Sequence, residues 1–188
     1  GVLELREGIA KKLRKDNNIK ADPDDIFVTG GSEAALFSGF LCALDPGDRV
    51  AVQSPGYLGY IPGIELVSAI PDDIRLKEDE NFEVNPDEIR KRIKKKTKVI
   101  MLNTPSNPTG TVISKKVLEE VADIAVENDC YVFSDEAYEK LVYDKKHVSI
   151  GSFNGMKKYV VTFQSFSKSY AMCGFRLGYA HGPKELIK

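Results

Sequence analysis

The chain has 188 residues, 42% hydrophobic and 29% charged, with 27 Lys and Arg against 28 Asp and Glu for a formal net charge of -1. That length supports one sizeable hydrophobic core, and the near-neutral balance gives no electrostatic reason to expect nucleic acid or an anionic membrane surface as a partner. Cys42, Cys130 and Cys173 are odd in number and too widely spaced for a zinc site; two sit in apolar surroundings, which predicts reduced core thiols of a cytoplasmic protein and no metal.

The chain opens in a helix with Leu5, Ile9 and Leu13 on one face. Asp22-Pro23-Asp24-Asp25 ends that pattern, and Ile26 to Thr29 predicts a short buried strand. Gly30-Gly31-Ser32-Glu33 then leads into an apolar helix, Ala34 to Leu44. A strand at Arg49 to Gln53 runs into the turn Ser54-Pro55-Gly56-Tyr57. A helix follows from about Leu58, then a short strand at Leu66 to Ile70 and an acidic loop from Asp72 to Glu83. Asn85-Pro86-Asp87 starts a helix whose basic run, Arg90 to Lys98, lacks aromatics and reads as a solvated face. Lys98 to Leu102 is a strand ending in a Pro- and Asn-rich loop, Asn103 to Gly110. Ser114 to Glu127 is a strongly amphipathic helix. Cys130 to Phe133 is a buried strand ending in Ser134-Asp135-Glu136-Ala137-Tyr138. After a loop at Lys145 to Lys158, the apolar run Tyr159 to Phe163 gives way to Gln164-Ser165-Phe166-Ser167-Lys168, and Pro183 opens a last helix. No apolar run approaches a membrane span. No signal sequence opens the chain, and both ends lie in helices without tails, which predicts a piece of a longer protein.

Strands alternating with helices predict an α/β fold, three layers deep, with a mostly parallel sheet covered on both faces. Polar or aromatic groups follow five strands: Gly31-Ser32, Tyr57, Asn107, Asp135-Tyr138 and Ser165-Lys168. In such a sheet those ends share one edge, where ligands bind. Each group also has a plainer explanation. Ser32 reads equally as a helix cap, Asp135 as a turn former, Asn107 as a turn residue before proline, Tyr57 and Tyr138 as core, and Arg176 as half of an ion pair. Lys168 is flanked by Ser, Phe and Tyr, a poor environment for an ammonium, which favours the neutral amine that a Schiff-base lysine needs. A solvated loop lysine is the alternative. The glycines match neither the dinucleotide nor the Walker A pattern.

The ordered set Asn107-Pro108-Thr109-Gly110, Asp135-Glu136-Ala137-Tyr138 and Ser165-Phe166-Ser167-Lys168, with Arg176 eight positions on, resembles fold type I, pyridoxal-phosphate-dependent aminotransferases of the aspartate, alanine and aromatic class. Gly1 to Ala10 and Thr29 to Leu36 match as well, so the resemblance covers the chain. It implies the large, cofactor-binding domain over residues 1–188, without the N-terminal arm and C-terminal small domain of that family. It implies that Lys168 forms the Schiff base with pyridoxal phosphate and shuttles the proton. Asp135 would bind the pyridinium N–H, Asn107 and Tyr138 the ring oxygen, and Tyr57 the ring face. Gly31, Ser32 and Glu33 backbone N–H groups would hold the phosphate with the Ser32, Ser165 and Ser167 hydroxyls and Arg176. The reaction implied is transamination between an L-amino acid and a 2-oxo acid in a homodimeric enzyme. Carbon–sulfur lyases and aminocyclopropane-carboxylate synthases share these motifs, and so does a non-catalytic sensor domain of a transcription regulator. The resemblance also places cis peptides at Ser54-Pro55 and Asn107-Pro108. His181 stands where it leads one to expect a small apolar residue, and partial exposure is expected there.

Overall fold

A seven-stranded sheet forms the middle layer of the computed structural model, which describes residues 1–187. Its strands are β1 (Ile26–Thr29), β2 (Arg49–Ser54), β3 (Ile70–Arg75), β4 (Thr97–Asn103), β5 (Tyr131–Asp135), β6 (Val160–Ser165) and β7 (Gly178–His181), in the order β1-β7-β6-β5-β4-β2-β3. From β6 to β3 every neighbouring pair is parallel. β7 is antiparallel to both of its neighbours, β1 and β6. The helices are α1 (Leu3–Asp16), α2 (Ser32–Ala43), α3 (Tyr60–Leu66), α4 (Pro86–Arg92), α5 (Lys115–Glu127), α6 (Phe166–Ser169) and α7 (Lys184–Ile187).

The period-2 alternation of a strand divides the core in two. In β4, Ile100 and Leu102 join a cluster with Leu118 and Val121 of α5, while Val99 and Met101 join one with Leu36 and Phe40 of α2 and Ile64 of α3. Both faces are covered, which is why the central strands read as unbroken apolar runs. Each such fully buried side chain contributes about 1.5–3 kcal/mol. Packing of this kind, more than helix propensity, holds α2 and α5 to the sheet. α1 covers the β1 end, placing Ile9, Ala10 and Leu13 against Ile26 and Tyr179. The result is the expected three-layer α/β/α architecture.

Several expectations need correction. Leu66 ends helix α3, and the strand expected at Leu66 to Ile70 instead begins at Ile70 and runs to Arg75, into what read as an acidic loop. Its acidity hid it. Asp72 is 7% exposed because Arg49 grips its carboxylate with two 2.6 Å hydrogen bonds and Lys94 adds a third. Pro71 is tolerated because β3 is an edge strand. The cysteines are free, but only Cys130 is buried; Cys42 and Cys173 are exposed. His181 is buried at 4% exposure rather than partly exposed. Burial pushes its imidazole down to about 4, against the opposing pull of Asp25.

β1 to β6 all run in one direction, so their C-terminal ends share an edge. β7, the reversed strand, starts at that same edge. Its first residue is Gly178, where a Cβ would overlap the Ser32 backbone nitrogen, and this close approach brings the chain just before β7 against the start of α2.

Candidate active site

At that edge lies a cavity of about 370 Å³ lined by Ser32, Glu33, Tyr57, Asn107, Asp135, Tyr138, Ser165, Ser167, Lys168 and Arg176. The size falls in the usual range for a small-molecule site, roughly 300–1,000 Å³. Every site residue expected from sequence is in the lining except Gly31, which sits directly behind it. A Cβ at Gly31 would lie 2.9 Å from an Arg176 guanidinium nitrogen, and φ of +104° favours glycine there as well.

One end of the cavity is built to hold an anion. Gly31, not Ser32, is the N-cap of α2, and no side chain caps that helix. The first backbone N–H groups of α2 are therefore unsatisfied within the helix, and the positive end of its dipole is open. Arg176 enters from the β7 side in a left-handed conformation, φ +52°, which costs a non-glycine residue roughly 1–2 kcal/mol. Its Nη1 donates to Ser167 Oγ at 3.4 Å and to the Cys173 carbonyl at 3.2 Å. Among the described residues it meets no carboxylate in an ion pair. Ser165 caps α6 by accepting from Ser167 N–H at 3.1 Å, and its hydroxyl proton stays available.

The opposite end holds a buried carboxylate. Asp135, the last residue of β5, accepts the Tyr60 hydroxyl at 2.7 Å and the Ala137 N–H at 3.1 Å. Burial raises its pKa, with the Tyr60 hydrogen bond opposing. A cationic N–H partner would offset that penalty. Asn103, the last residue of β4, donates to the Asp135 carbonyl at 3.1 Å and accepts the Asn107 N–H at 2.6 Å, fixing the following loop. Ser54-Pro55 and Asn107-Pro108 are cis, as expected, and so is Thr104-Pro105. Tyr57 packs edge-on against Tyr60 with ring centroids 5.4 Å apart. Burial raises the pKa of the Tyr57 phenol, and the Glu33 carboxylate adds to the shift.

Lys168 differs from its expected surroundings. It is exposed, with Nζ 5.5 Å from the centroid of the Tyr138 ring. Its neighbours do not enclose it, because Phe166 turns away to pack on Tyr170 and Tyr179. Among the described residues its amine has no hydrogen-bond partner. Tyr60 and Asn103 are the residues that sequence reasoning missed. Asn103 shares Asp135's position at the end of an apolar strand and was legible on that ground. Tyr60, one helical turn past Tyr57, carries no signal of its own.

The donor set fits pyridoxal phosphate: an uncapped helix start, hydroxyls and an arginine for the phosphate, a buried carboxylate for a ring N–H, and an unpaired amine between them. The sequence profile described as Aminotransferase class I and II matches residues 1–188. An aspartate aminotransferase of Pyrococcus abyssi is 44% identical over 190 residues, covering 100% of this chain and 49% of that protein. An aspartate/prephenate aminotransferase of Thermus thermophilus is 40% identical over 188 residues, with 48% of its length covered. The crystal structure of an aromatic aminotransferase from Pyrococcus horikoshii superposes with a TM-score of 0.97 at 42% identity, over 100% of this chain and 51% of that one. The chain thus spans about half the length of the curated relatives it matches. It belongs to the aminotransferase class I and II family, whose enzymes use pyridoxal phosphate.

Proposed function

We propose that this chain is the cofactor-binding large domain of a pyridoxal-phosphate-dependent aminotransferase that moves an amino group between an L-amino acid and a 2-oxo acid. The observation that carries the proposal is the single cavity in which an unpaired lysine, an unpaired arginine and a buried aspartate converge from separate strand ends. When bound, pyridoxal phosphate supplies an electrophilic carbon and a ring that withdraws electrons from the substrate's α-carbon.

The protein's own groups do the rest. Arg176, the α2 N-terminus and the Ser32, Ser165 and Ser167 hydroxyls hold the phosphate. Asp135 keeps a proton on the ring nitrogen, and the Tyr60 hydrogen bond keeps Asp135 oriented for it. Asn107 and Tyr138 donate to the ring oxygen, and Tyr57 covers one ring face. Lys168 would hold the cofactor covalently and, as a free amine, would carry the proton at the substrate's α-carbon.

A homodimer is supported by an apolar groove of about 710 Å³ beside the cavity, lined in part by Phe37, Leu58 and Leu66. Leu58 and Leu66 are 89% and 73% exposed. A second copy there would also shield Arg176 from water. Cytoplasmic location is supported by three free cysteines. No helix among the described residues is long and apolar enough to cross a membrane.

The test is borohydride reduction of the full-length, cofactor-loaded protein, followed by peptide mapping and a transamination assay with aspartate, alanine and aromatic donors. The expected result is label on Lys168 and turnover with at least one donor. Label on another lysine overturns the site. Label on Lys168 with elimination products and no transamination overturns the reaction.

A further inference from the structure

Behind the cavity, two buried glutamates flank the segment that carries Tyr138. Glu136 accepts from Ser134 Oγ at 2.9 Å and Ser149 Oγ at 2.8 Å, with His147 Nε2 at 3.0 Å. Glu139 Oε2 accepts from Asn17 Nδ2 at 2.6 Å and Gln164 Nε2 at 2.9 Å, while Oε1 pairs with the Lys12 ammonium. Glu136, Glu139 and His147 bring possible metal ligands within 4.8 Å of one another. The positive charge at Glu139 is already supplied by Lys12, so the cluster reads as an internal ion network.

We infer that Glu139 is a positioning residue for the Tyr138 phenol: clamped by α1 and β6, it fixes the turn from which Tyr138 faces the cofactor cavity. The inference rests on the aminotransferase reading of the site. Among the described residues the Tyr138 hydroxyl has no hydrogen-bond partner. Its direction is therefore set by the backbone that carries it and by the ring's contact with Lys168 Nζ, 5.5 Å from the ring centroid. That backbone is a tight turn closed by Glu139 N–H to the Glu136 carbonyl at 3.0 Å and Leu141 N–H to the Tyr138 carbonyl at 2.8 Å. Glu136 N–H ties the turn to β6 through the Phe163 carbonyl at 2.9 Å, and Glu139 is the member whose side chain reaches both α1 and β6.

Its carboxylate is 6% exposed. Burial alone would raise its pKa, but the Lys12 charge and the hydrogen bonds from Lys12, Asn17 and Gln164 outweigh that and hold it below the usual range. A buried charge network of this kind is seldom more stabilising than apolar packing. What it does supply is direction: donors from two elements fix both oxygens of one side chain. Gln164 lies on β6 one residue before Ser165 and four before Lys168. Glu139 therefore ties the strand end bearing Tyr138 to the one bearing Lys168.

The test uses the full-length holoenzyme and follows the pH titration of the bound cofactor's visible absorbance. Tyr138→Phe removes a donor to the ring oxygen and should move the transition to higher pH. Glu139→Gln should move it in the same direction, by roughly half a pH unit, the size of losing part of one hydrogen bond. A direct field effect has the opposite sign, since deleting a negative charge lowers the transition. Asn17→Ala removes one donor to Glu139 at the far end of α1 without changing any charge, and should also shift the transition upward. Lys140, His147, Tyr170 and Tyr179 are each raised by the Glu139 charge, so Glu139→Gln lowers them, whereas Asn17→Ala keeps that charge. In a Tyr138→Phe background neither change should raise it further. If Tyr138→Phe shifts the transition while both other variants leave it unmoved or lower it, Glu139 does not position Tyr138. If Tyr138→Phe itself has no effect on loaded protein, the role of Tyr138 falls and this inference falls with it, whereas label mapped to Lys168 still upholds the wider reading.

Discussion

Asp135 and Asp25 are both buried carboxylates, placed at opposite edges of the same sheet. Asp135 follows the C-terminal end of β5 and both its oxygens accept hydrogen bonds from neutral groups, Tyr60 and Ala137. Among the described residues no cation pairs with it, and Lys168 and Arg176 open into the same cavity without an ion pair. Asp25 precedes β1 at the other edge and is fully buried. It is paired to Lys157 at 2.9 Å, with the buried His181 beside it. One edge keeps positive and negative charges apart and aimed at a void; the other couples them to each other. Unpaired charge converging on a cavity is the pattern on which the proposed function rests.

The sharpest way to break this contrast is Lys168→Ala. Turnover by the full-length enzyme should fall by roughly a thousandfold or more, the scale of losing a general acid–base group. Thermal stability should stay within about 0.5 kcal/mol, because the side chain is exposed and unpartnered. A matching loss of stability would mean that the lysine is structural. Asp135→Asn comes next. It keeps the Tyr60 contact in shape but cannot hold a proton on the ring nitrogen, so kcat should drop by about a hundredfold or more. Folding should suffer little, since a buried charge is removed. Wild-type turnover at saturating cofactor would show that Asp135 has another partner.

Arg176→Met should weaken cofactor binding by roughly tenfold to a hundredfold, the worth of one charge-assisted hydrogen bond. Equilibrium titration with pyridoxal phosphate reads this directly, and an unchanged dissociation constant would remove Arg176 from the phosphate site. The smallest effect on activity belongs to the other edge, with His181→Leu. The folded-state pKa of His181, about 4, lies below the ordinary 6.5. The unfolded chain therefore takes up the proton first, and stability complete above pH 6.5 is lost as the pH falls through 4. The loss amounts to about 3 kcal/mol at most. Urea midpoints at pH 7 and pH 4.5 should converge in His181→Leu and differ in the wild type, with turnover unchanged in both. Equal acid sensitivity in the two proteins would assign the effect to other groups.

Much of the site was legible in the sequence because chain chemistry and strand direction are both local. Apolar runs ending in Ser32, Asp135 and Ser165 marked the strand ends, and parallel strands must put those ends on one edge. Tyr60 was not legible. Its hydroxyl meets Asp135 across 75 residues of separation, and nothing near Tyr60 in the chain distinguishes it from a core tyrosine. β3 was misplaced for a related reason: Asp72 looks solvated until Arg49 and Lys94 arrive from other elements.

Arg176 draws the line between the two kinds of information. The sequence by itself determined that an arginine follows Lys168 by eight residues in an uncharged stretch. It left open whether Ser32 caps α2, and the structure makes Gly31 the N-cap with no side chain capping that helix. Which edge of the sheet Arg176 reaches was decided only by the reversal of β7, the strand that runs against its neighbours. Had β7 been parallel, its start would lie at the far edge, beside Asp25. Pairing direction follows from long-range hydrogen bonding and packing between β1, β6 and β7, and no local pattern in Gly178 to His181 encodes it.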